Sequence, residues 1–354
     1  MERSRTRSLT TQMVSRVRAN DAKPKKIYDG DFGKVLSTGS TLLNLAVSGG
    51  RIRGGGLPGG ILIEAFGPNG SGKTVLLTEI AGEVQRKGGD VIFQDPEARL
   101  NKQFAQMFGL KLKKEAYKRP DTVVQVFNQV TEWEPEPTVK GAINGIFTDS
   151  LAALSTELEL DSKQGDKMGM KRGKDFSEQL RKFCRILAKK NYIMVCSNQV
   201  RQNSESAGNP YAEKYSTPGG LAVGFYASVR LKFSKPEKIK EKVTHKGKEI
   251  TRVVGVTSTV EVYKNSVWSP YRTAPLHILF DYGIDDIRAN LQYVKDMTGG
   301  KTYCVNNTSL SKSLDEAITL CEEKGLVNDL KEQVIDLWEA IESKFKKERA
   351  PKQR

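Results

Sequence analysis

Residues 61–88 read ILIEAFGPNGSGKTVLLTEIAGEVQRKG, and this stretch decides the fold. An apolar run, a glycine-rich turn and a segment with helical spacing follow one another, and the turn fits G-x-x-x-x-G-K-[ST]. Glycines let backbone N–H groups turn inward around phosphate oxygens, while a lysine adds positive charge and a threonine hydroxyl is a magnesium ligand. The predicted phosphate loop consists of Gly67, Pro68, Asn69, Gly70, Ser71, Gly72, Lys73 and Thr74. The stretch therefore predicts binding of a nucleoside triphosphate with Mg²⁺.

Short apolar runs alternate with helical segments along the chain that follows the phosphate loop. The apolar runs are DVIFQD (90–95), GIFTD (145–149) and YIMVCSN (192–198), and a helix is expected over 175–190. Strand–helix–strand alternation of this kind implies a mostly parallel sheet that is covered on both faces. The sequence therefore predicts an α/β fold, with a P-loop NTPase core built on a mostly parallel central sheet.

Composition changes divide the chain into three parts. Residues 1–35 are expected to form a short N-terminal helix over 8–20 and a polar linker. Residues 36–285 form the predicted core, and residues 286–354 a small C-terminal α/β domain. Two further segments are expected to be extended, with a lysine-rich hairpin between them: 226–233 and 252–263.

The chain is strongly basic, and its excess positive charge is concentrated at its two ends. The 354 residues carry 57 Lys and Arg against 42 Asp and Glu, a formal net charge of +15. Basic tails attract polyanions such as nucleic acids. The alternative interpretation is that these charged runs only keep the chain in solution. No apolar run approaches a membrane span, and the four cysteines form no C-x-x-C pair, so membrane proteins, disulfide scaffolds and zinc fingers are excluded. We expect a cytoplasmic protein.

Three polar positions at predicted strand ends are candidates for work at the phosphate loop. Asp149 follows an apolar run and is a candidate magnesium ligand, although its position is equally typical of a helix N-cap. Glu97 suits a residue that polarises water, or a helix-start carboxylate favoured by the helix dipole. Gln199 suits a sensor of the γ-phosphate, or an amide that caps a loop.

The chain resembles the bacterial RecA-type recombinases, including those of bacteriophages. The resemblance covers about residues 36–287 and implies a RecA-like core. It also implies a helix over 8–20 that docks on a neighbouring protomer. Seven ordered motifs carry it, and two of them comprise two stretches each: LSTGSTLLNLAVSGG with GLPGGILIEAFGPNGSGKT, FQDPEARLNKQFAQMFG, RPDT, FTDSLAAL, SNQVR, STPGGLAVGFYASVRL, and EVYKNSVWSP with HILFDYGID.

The resemblance implies roles for individual residues at the nucleotide. Glu97 would activate water, Gln199 would report the γ-phosphate, and Lys264 would reach ATP bound to the neighbouring subunit. Asn101 and Phe104 would contact adenine, with Phe280 as a second aromatic near the base, and Phe104 stands where the family more often has tyrosine. The chain departs from the family pattern at Ser266, where a second lysine is usual, and at its basic rather than acidic end.

Two DNA-binding loops are implied at about 162–174 and 200–218. Both are also compatible with plain flexible surface, because they are rich in glycine and polar residues. In the second loop, Tyr211 or Tyr215 is a candidate for stacking on bases. The implied DNA contacts are Met168, Lys171, Arg172, Ser177, Arg181, Arg201, Gly219 and Gly220.

The function implied by the resemblance is a DNA-dependent ATPase that forms a helical filament on single-stranded DNA and exchanges strands with a homologous duplex. ATP and Mg²⁺ are the implied cofactors, and the partners are both forms of DNA and further copies of the chain. Two alternatives remain open at this point. Ser266 is compatible with a regulatory filament that turns over little ATP, and a related core also occurs in ring helicases, against which FYASVRL and the N-terminal helix argue.

Overall fold

The computed structural model describes residues 33–155, 169–202, 215–216 and 220–347. The expected helix over 8–20 and most of both implied DNA loops lie outside these residues. The helices are α1 Thr41–Ser48, α2 Lys73–Arg86, α3 Lys102–Met107, α4 Val123–Thr131, α5 Gly169–Lys190, α6 Gly220–Tyr226, α7 Asp286–Thr298, α8 Leu314–Glu323 and α9 Val327–Lys344. The strands are β1 Val35–Leu36, β2 Leu57–Pro58, β3 Leu62–Gly67, β4 Val91–Gln94, β5 Tyr117–Lys118, β6 Asn144–Thr148, β7 Tyr192–Gln199, β8 Arg201–Gln202, β9 Tyr215–Ser216, β10 Val229–Phe233, β11 Glu237–His245, β12 Lys248–Asn265, β13 Thr273–Leu279, β14 Gly283–Ile284, β15 Cys304–Val305 and β16 Thr308–Ser309.

One large sheet organises the described part of the chain. Its strand order is β14-β13-β12-β10-β3-β7-β6-β4-β5, and β11 pairs with the outer part of β12. All pairs from β10 through β5 are parallel, whereas β10, β12, β13 and β14 pair with one another in antiparallel fashion. The prediction of an α/β fold with a mostly parallel central sheet is confirmed.

Both faces of the sheet are covered, as the continuous apolar runs predict. Successive residues of one strand enter opposite layers: Leu62 packs in one apolar cluster and Ile63 in the other, and Ile193 and Met194 divide in the same way. Helices α4 and α5 contribute to the cluster of Leu62, while α1, α2 and α7 contribute to the cluster of Ile63. Strand β3 therefore lies fully buried at the centre, and its end delivers the phosphate loop.

Helix α5 begins earlier than the sequence predicts. We expect a helix over 175–190, but the helix starts at Gly169, so residues 169–174 of the first implied DNA loop have helical backbone. This stretch contains Met170, Lys171 and Arg172, which are good helix formers and extend the helix despite the neighbouring glycines.

The described C-terminal residues, 286–347, form three helices and a two-stranded sheet. Their buried side chains, among them Leu291, Leu330 and Val334, belong to the same apolar cluster as Ile63. None of the described helices combines the length and the apolar character that a membrane span requires.

Candidate nucleotide-binding site

The phosphate loop connects β3, which ends at Gly67, to α2, which begins at Lys73. Gly72 caps the helix with φ +95°, a left-handed conformation that side chains rarely adopt. A Cβ built on Gly72 would also displace the Cδ1 methyl group of Ile278, so the backbone conformation, more than the packing, requires glycine there. The helix N-terminus, with its unpaired N–H groups, is aimed into the loop, an arrangement that favours phosphate.

The Lys73 ammonium lies buried inside the curve of the loop. Its Nζ donates to the carbonyl oxygens of Gly67, at 3.0 Å, and of Pro68, at 2.7 Å. Burial lowers the pKa of Lys73, and the negative charges of Asp149 and Glu97 oppose that shift. The loop therefore encloses the Lys73 ammonium group at the place where the sequence predicts phosphate oxygens.

Thr74 and Asp149 face each other where α2 begins and β6 ends. The Thr74 hydroxyl donates to Oδ2 of Asp149 at 2.6 Å, and the Ser197 hydroxyl donates to Oδ1 of the same carboxylate. Burial raises the pKa of Asp149, and the two hydrogen bonds lower it. Among the described residues no group of three or more His, Cys, Asp or Glu side chains can hold a metal ion.

The donor set at Thr74 and Asp149 nevertheless fits Mg²⁺. Magnesium is usually bound by one or two carboxylates or hydroxyls, with substrate phosphate oxygens and waters completing its shell. A hydroxyl and a carboxylate that share a 2.6 Å hydrogen bond beside a phosphate loop are hard oxygen donors of this kind. The two residues are therefore suited to hold a magnesium ion that arrives with a nucleotide.

Glu97 follows β4 and reaches towards the same edge of the sheet. Its Oε1 accepts a hydrogen bond from the Ser150 hydroxyl at 2.8 Å, and its Oε2 lies 2.5 Å from Nη1 of Arg99. Buried Asp95 holds the loop that carries Glu97, because it accepts from the Leu100 backbone N–H at 2.7 Å and from the Tyr117 hydroxyl at 2.8 Å. The structure therefore brings Glu97 together with the residue that follows Asp149.

Four residues of this arrangement were missed by the sequence reasoning. Ser150 directly follows Asp149, Ser197 lies two residues before Gln199, and Asp95 ends an apolar run, so their positions near strand ends are a signal that points to them. Arg99 carries no pattern of its own, and only its contact with Glu97 identifies it.

Gln199 lies directly beside the phosphate loop. The parallel register of β3 and β7 pairs Gly67 with Gln199, so the first residue of the loop neighbours the last residue of β7. The backbone N–H of Gln199 donates to Oδ1 of Asn198 at 3.0 Å, and Nδ2 of Asn198 donates to buried Glu64 at 2.8 Å. The end of β7 is thereby fixed to the row of side chains beneath the loop.

The residues implied to contact adenine lie on neighbouring elements. Asn101 caps α3 through a 2.8 Å hydrogen bond from Gln103, which is the local role expected of an asparagine at that position. The rings of Phe104 and Phe108 meet edge to face with centroids 4.9 Å apart. Phe108 packs against Gly283 of β14, and half-exposed Phe280 lies in the turn before that strand.

The sequence profile of the RecA N-terminal domain matches residues 29–285. The chain belongs to the RecA family. The protein RecA of Delftia acidovorans is 33% identical over 310 residues, which is 86% of this chain and 78% of that protein. The protein RecA of Thermus thermophilus is 33% identical over 85% of both chains, and that of Crocosphaera subtropica is 30% identical over 91% of this chain and 89% of its own length. This RecA-type recombinase is thus an enzyme of DNA recombination and repair that binds ATP and DNA.

Within this RecA-family chain, Lys264 lies in the sheet rather than at the phosphate loop of its own protomer. It pairs with Arg230 of β10, and Arg230 pairs with Glu64 of β3. The Lys264 Nζ donates to the carbonyl oxygens of Gly224, at 2.9 Å, and Phe225, at 2.7 Å. Burial lowers the pKa of Lys264, and nearby Arg230 lowers it further.

The DNA contacts implied by the RecA resemblance are only partly described by the structure. Ser177 and Arg181 are exposed on α5, one turn apart. Lys171 and Arg172 lie in the first turn of α5, Arg201 lies in β8, and Gly220 begins α6. Strand β8 pairs with β9, with Arg201 opposite Ser216. Met168 and Gly219 lie outside the described residues.

Proposed function

We propose that this RecA-family chain is a DNA-dependent ATPase that polymerises on single-stranded DNA as an ATP-dependent helical filament. In this state it pairs and exchanges strands with a homologous duplex. The observation that carries the proposal is the line of side chains from Thr74 through Asp149 and Ser150 to Glu97, joined by hydrogen bonds of 2.6 Å and 2.8 Å at its two ends. This line connects a phosphate loop to a carboxylate that is suited to activate water.

Nucleotide binding begins at the phosphate loop. The Lys73 ammonium exchanges the carbonyl oxygens of Gly67 and Pro68 for β- and γ-phosphate oxygens, because charged acceptors make the stronger hydrogen bonds. Thr74 and Asp149 would hold Mg²⁺, which neutralises charge on the phosphate oxygens when it is bound. The remaining loop residues offer backbone N–H groups to the phosphates, and Asn101, Phe104 and Phe280 hold the adenine.

Hydrolysis then depends on Glu97. The Ser150 hydroxyl fixes one carboxylate oxygen of Glu97, so the other is free to accept a hydrogen bond from a water molecule once its arginine partner moves. A carboxylate placed in this way orients the water for attack on the γ-phosphate, and positioning and electrostatics are what phosphoryl transfer requires.

DNA and nucleotide are coupled through the end of β7. Gln199 is the register partner of Gly67, and the chain passes from Gln199 directly into the second implied DNA loop, 200–218. A γ-phosphate that bonds the Gln199 amide would order that loop for DNA, as phosphate-sensing loops do in other nucleotide switches. Contacts to phosphates and base faces, rather than base edges, suit a protein that acts on any sequence.

Lys264 acts between protomers in this proposal. A lysine that reaches the triphosphate of a neighbouring subunit stabilises transition-state charge in trans, in the manner of an arginine finger.

Ser266 stands where the family usually has a second lysine, and this observation favours a second candidate function, a regulatory filament with little turnover. Strand pairing between homologous DNA molecules, measured with labelled oligonucleotides, would eliminate that candidate.

The decisive experiment compares ATP hydrolysis with and without single-stranded DNA. We expect hydrolysis to rise when DNA is added in stoichiometric amounts, and equal rates would contradict the proposal.

We expect Glu97→Gln to keep ATP binding and filaments, seen by electron microscopy with a slowly hydrolysed analogue, but to lose most turnover. Lys73→Ala should abolish nucleotide-driven DNA binding.

The DNA surface is tested with two substitutions on one helix. Arg181 and Lys189 are both exposed on α5, but Lys189 lies in its last turn. We expect Arg181→Ala to weaken binding of labelled single-stranded DNA about tenfold and to lower the salt dependence of that binding, because a phosphate contact is lost. Lys189→Ala removes the same charge and should leave binding unchanged. Equal losses in both variants would show a diffuse charge effect rather than a contact.

A further inference from the structure

Arg99 forms an ion pair with the carboxylate that the proposed function assigns to water activation. Its Nη1 lies 2.5 Å from Oε2 of Glu97. The Arg99 side chain is 79% exposed, whereas that of Glu97 is only 16% exposed. A cation that is almost wholly in solvent therefore covers one oxygen of a largely enclosed carboxylate, two residues away in the same loop.

The position of this ion pair relates Arg99 to the phosphate loop. The other oxygen of Glu97 bonds to Ser150, which follows Asp149, and Asp149 bonds to Thr74 in the first turn of α2. Glu97 is also close enough to influence the pKa of buried Lys73. Arg99 thus lies at the outer end of a short line of side chains that begins at the phosphate loop.

The ion pair is easily exchanged for a stronger one. The Arg99 side chain is 79% exposed, so water screens its charge and the entropy of a long side chain opposes its fixation, and the ion pair therefore holds Arg99 only weakly. A phosphate group carries more negative charge than a carboxylate and accepts both arms of a guanidinium, which is why arginine is favoured at phosphates. An incoming triphosphate is therefore the better partner for Arg99.

We propose that Arg99 leaves Glu97 when ATP binds to the same protomer and contacts the γ-phosphate, where it stabilises the charge of the transition state in cis. This inference rests on the proposed ATPase activity. It also supplies a reason why Ser266 is tolerated in place of a second lysine, because the missing positive charge comes from Arg99.

The chemical step is ordinary hydrolysis of ATP. The oxygen of a water molecule forms a bond to the γ-phosphorus, and the bond from that phosphorus to the bridging oxygen breaks. The electron pair of the broken bond leaves with ADP, and the water proton passes to the Glu97 carboxylate and then to solvent. Arg99 gains contact with oxygens that carry growing charge, and its departure frees Glu97 for the water.

The test combines steady-state kinetics with a transition-state analogue. With saturating single-stranded DNA and Mg²⁺, we expect Arg99→Ala to lower kcat about tenfold or more and to leave KM for ATP within about threefold. We also expect it to weaken binding of ADP with aluminium fluoride about tenfold while binding of ADP alone stays the same. Arg99→Lys should fall between the two proteins, because it keeps the charge but not the fork.

Lys113→Ala is the matched control. Lys113 is 74% exposed and lies 3.9 Å from the exposed carboxylate of Glu136, so the variant removes a similar surface charge from an ion pair that does not include Glu97. We expect it to match the parent protein in every measurement. Circular dichroism should show all three variants folded, because both positions are exposed.

Two results would overturn the role of Arg99. One is an unchanged or increased kcat in Arg99→Ala with unchanged affinity for ADP–aluminium fluoride, which would leave Arg99 as a surface partner of Glu97. The other is a raised KM with unchanged kcat, which would make it a ground-state binding residue only. Failure of the proposed function is distinct, because the parent protein would then lack DNA-stimulated hydrolysis and Glu97→Gln would have no effect.

Discussion

At the scale of single residues, the most demanding group is the Glu64 carboxylate at the centre of the sheet. Glu64 is fully buried on β3 and depends on the Arg230 Nε at 2.6 Å and the Asn198 Nδ2 at 2.8 Å. Loss of one partner of a buried ion pair leaves an uncompensated charge, which costs about 3–5 kcal/mol. We expect Arg230→Met to lower the midpoint of thermal unfolding clearly.

The double variant Glu64→Gln with Arg230→Met serves as its control. Removing both charges eliminates the unpaired carboxylate, so most of the lost stability should return. Differential scanning fluorimetry on the three proteins is sufficient for the comparison. A single variant that unfolds at the temperature of the parent protein would show that the pair contributes nothing.

His277 is a buried titratable group whose lowered pKa predicts how stability changes with pH. It lies on β13 with its Nδ1 2.8 Å from the Thr257 hydroxyl, and burial lowers its pKa below the ordinary 6.5, with Arg288 lowering it further and Asp285 opposing. Because the pKa is lower in the folded state, its contribution to stability is present above pH 6.5 and is lost as pH falls through the folded-state value. We expect thermal unfolding temperatures to fall less between pH 7.5 and pH 5 in His277→Gln than in the parent protein. Identical declines would contradict this prediction.

At the scale of elements, the sequence is most informative where strands are buried on both faces. The apolar runs at 90–95, 145–149 and 192–198 correspond to β4, β6 and β7, and no strand end differs from the prediction by more than one residue. Short continuous apolar runs bounded by polar residues are typical of strands buried on both faces. The sequence does not predict the start of α5, because the glycines there are typical of loops. Contacts such as Glu97 with Ser150 depend on strand registers between distant segments, so no local pattern predicts them.

The hairpin of β11 and β12 extends beyond the main sheet. Its outer part, 240–253, is exposed throughout, and among the described strands only β11 pairs with that part of β12. We expect that replacing residues 241–252 by an Asn-Gly turn between the paired Lys240 and Val253 will move the unfolding temperature by less than about 2 °C, because the deleted residues bury little apolar surface.

Val260, on the same strand but fully buried, supplies the matched comparison. Val260→Ala removes packed methyl groups from the core and should lower stability by about 1–3 kcal/mol. A large loss from the shortened hairpin, or none from Val260→Ala, would contradict the assignment of stability to the inner part of β12.

At the scale of the whole molecule, composition predicts a small C-terminal domain, and the buried apolar side chains of that region belong to the core cluster that contains Ile63. Asp286 accepts hydrogen bonds from the backbone N–H and the hydroxyl of Thr41, each at 2.7 Å, and Arg53 bonds to Asp336 of α9 at 2.7 Å. Contacts between residues this far apart in sequence decide whether two segments share a core. They leave no trace in local composition or periodicity.

A shared core predicts shared unfolding. Leu330 on α9 is fully buried in the cluster that also contains Leu43 of α1 and Leu76 of α2. We expect calorimetry to show one cooperative transition for the full chain, and Leu330→Ala to lower its midpoint as a unit, since loss of a buried leucine costs about 2–5 kcal/mol. Two resolved transitions, with Leu330→Ala moving only one of them, would instead mean that residues 286–347 unfold independently, and that the apolar contacts across α1 and α9 are too weak to join the two regions.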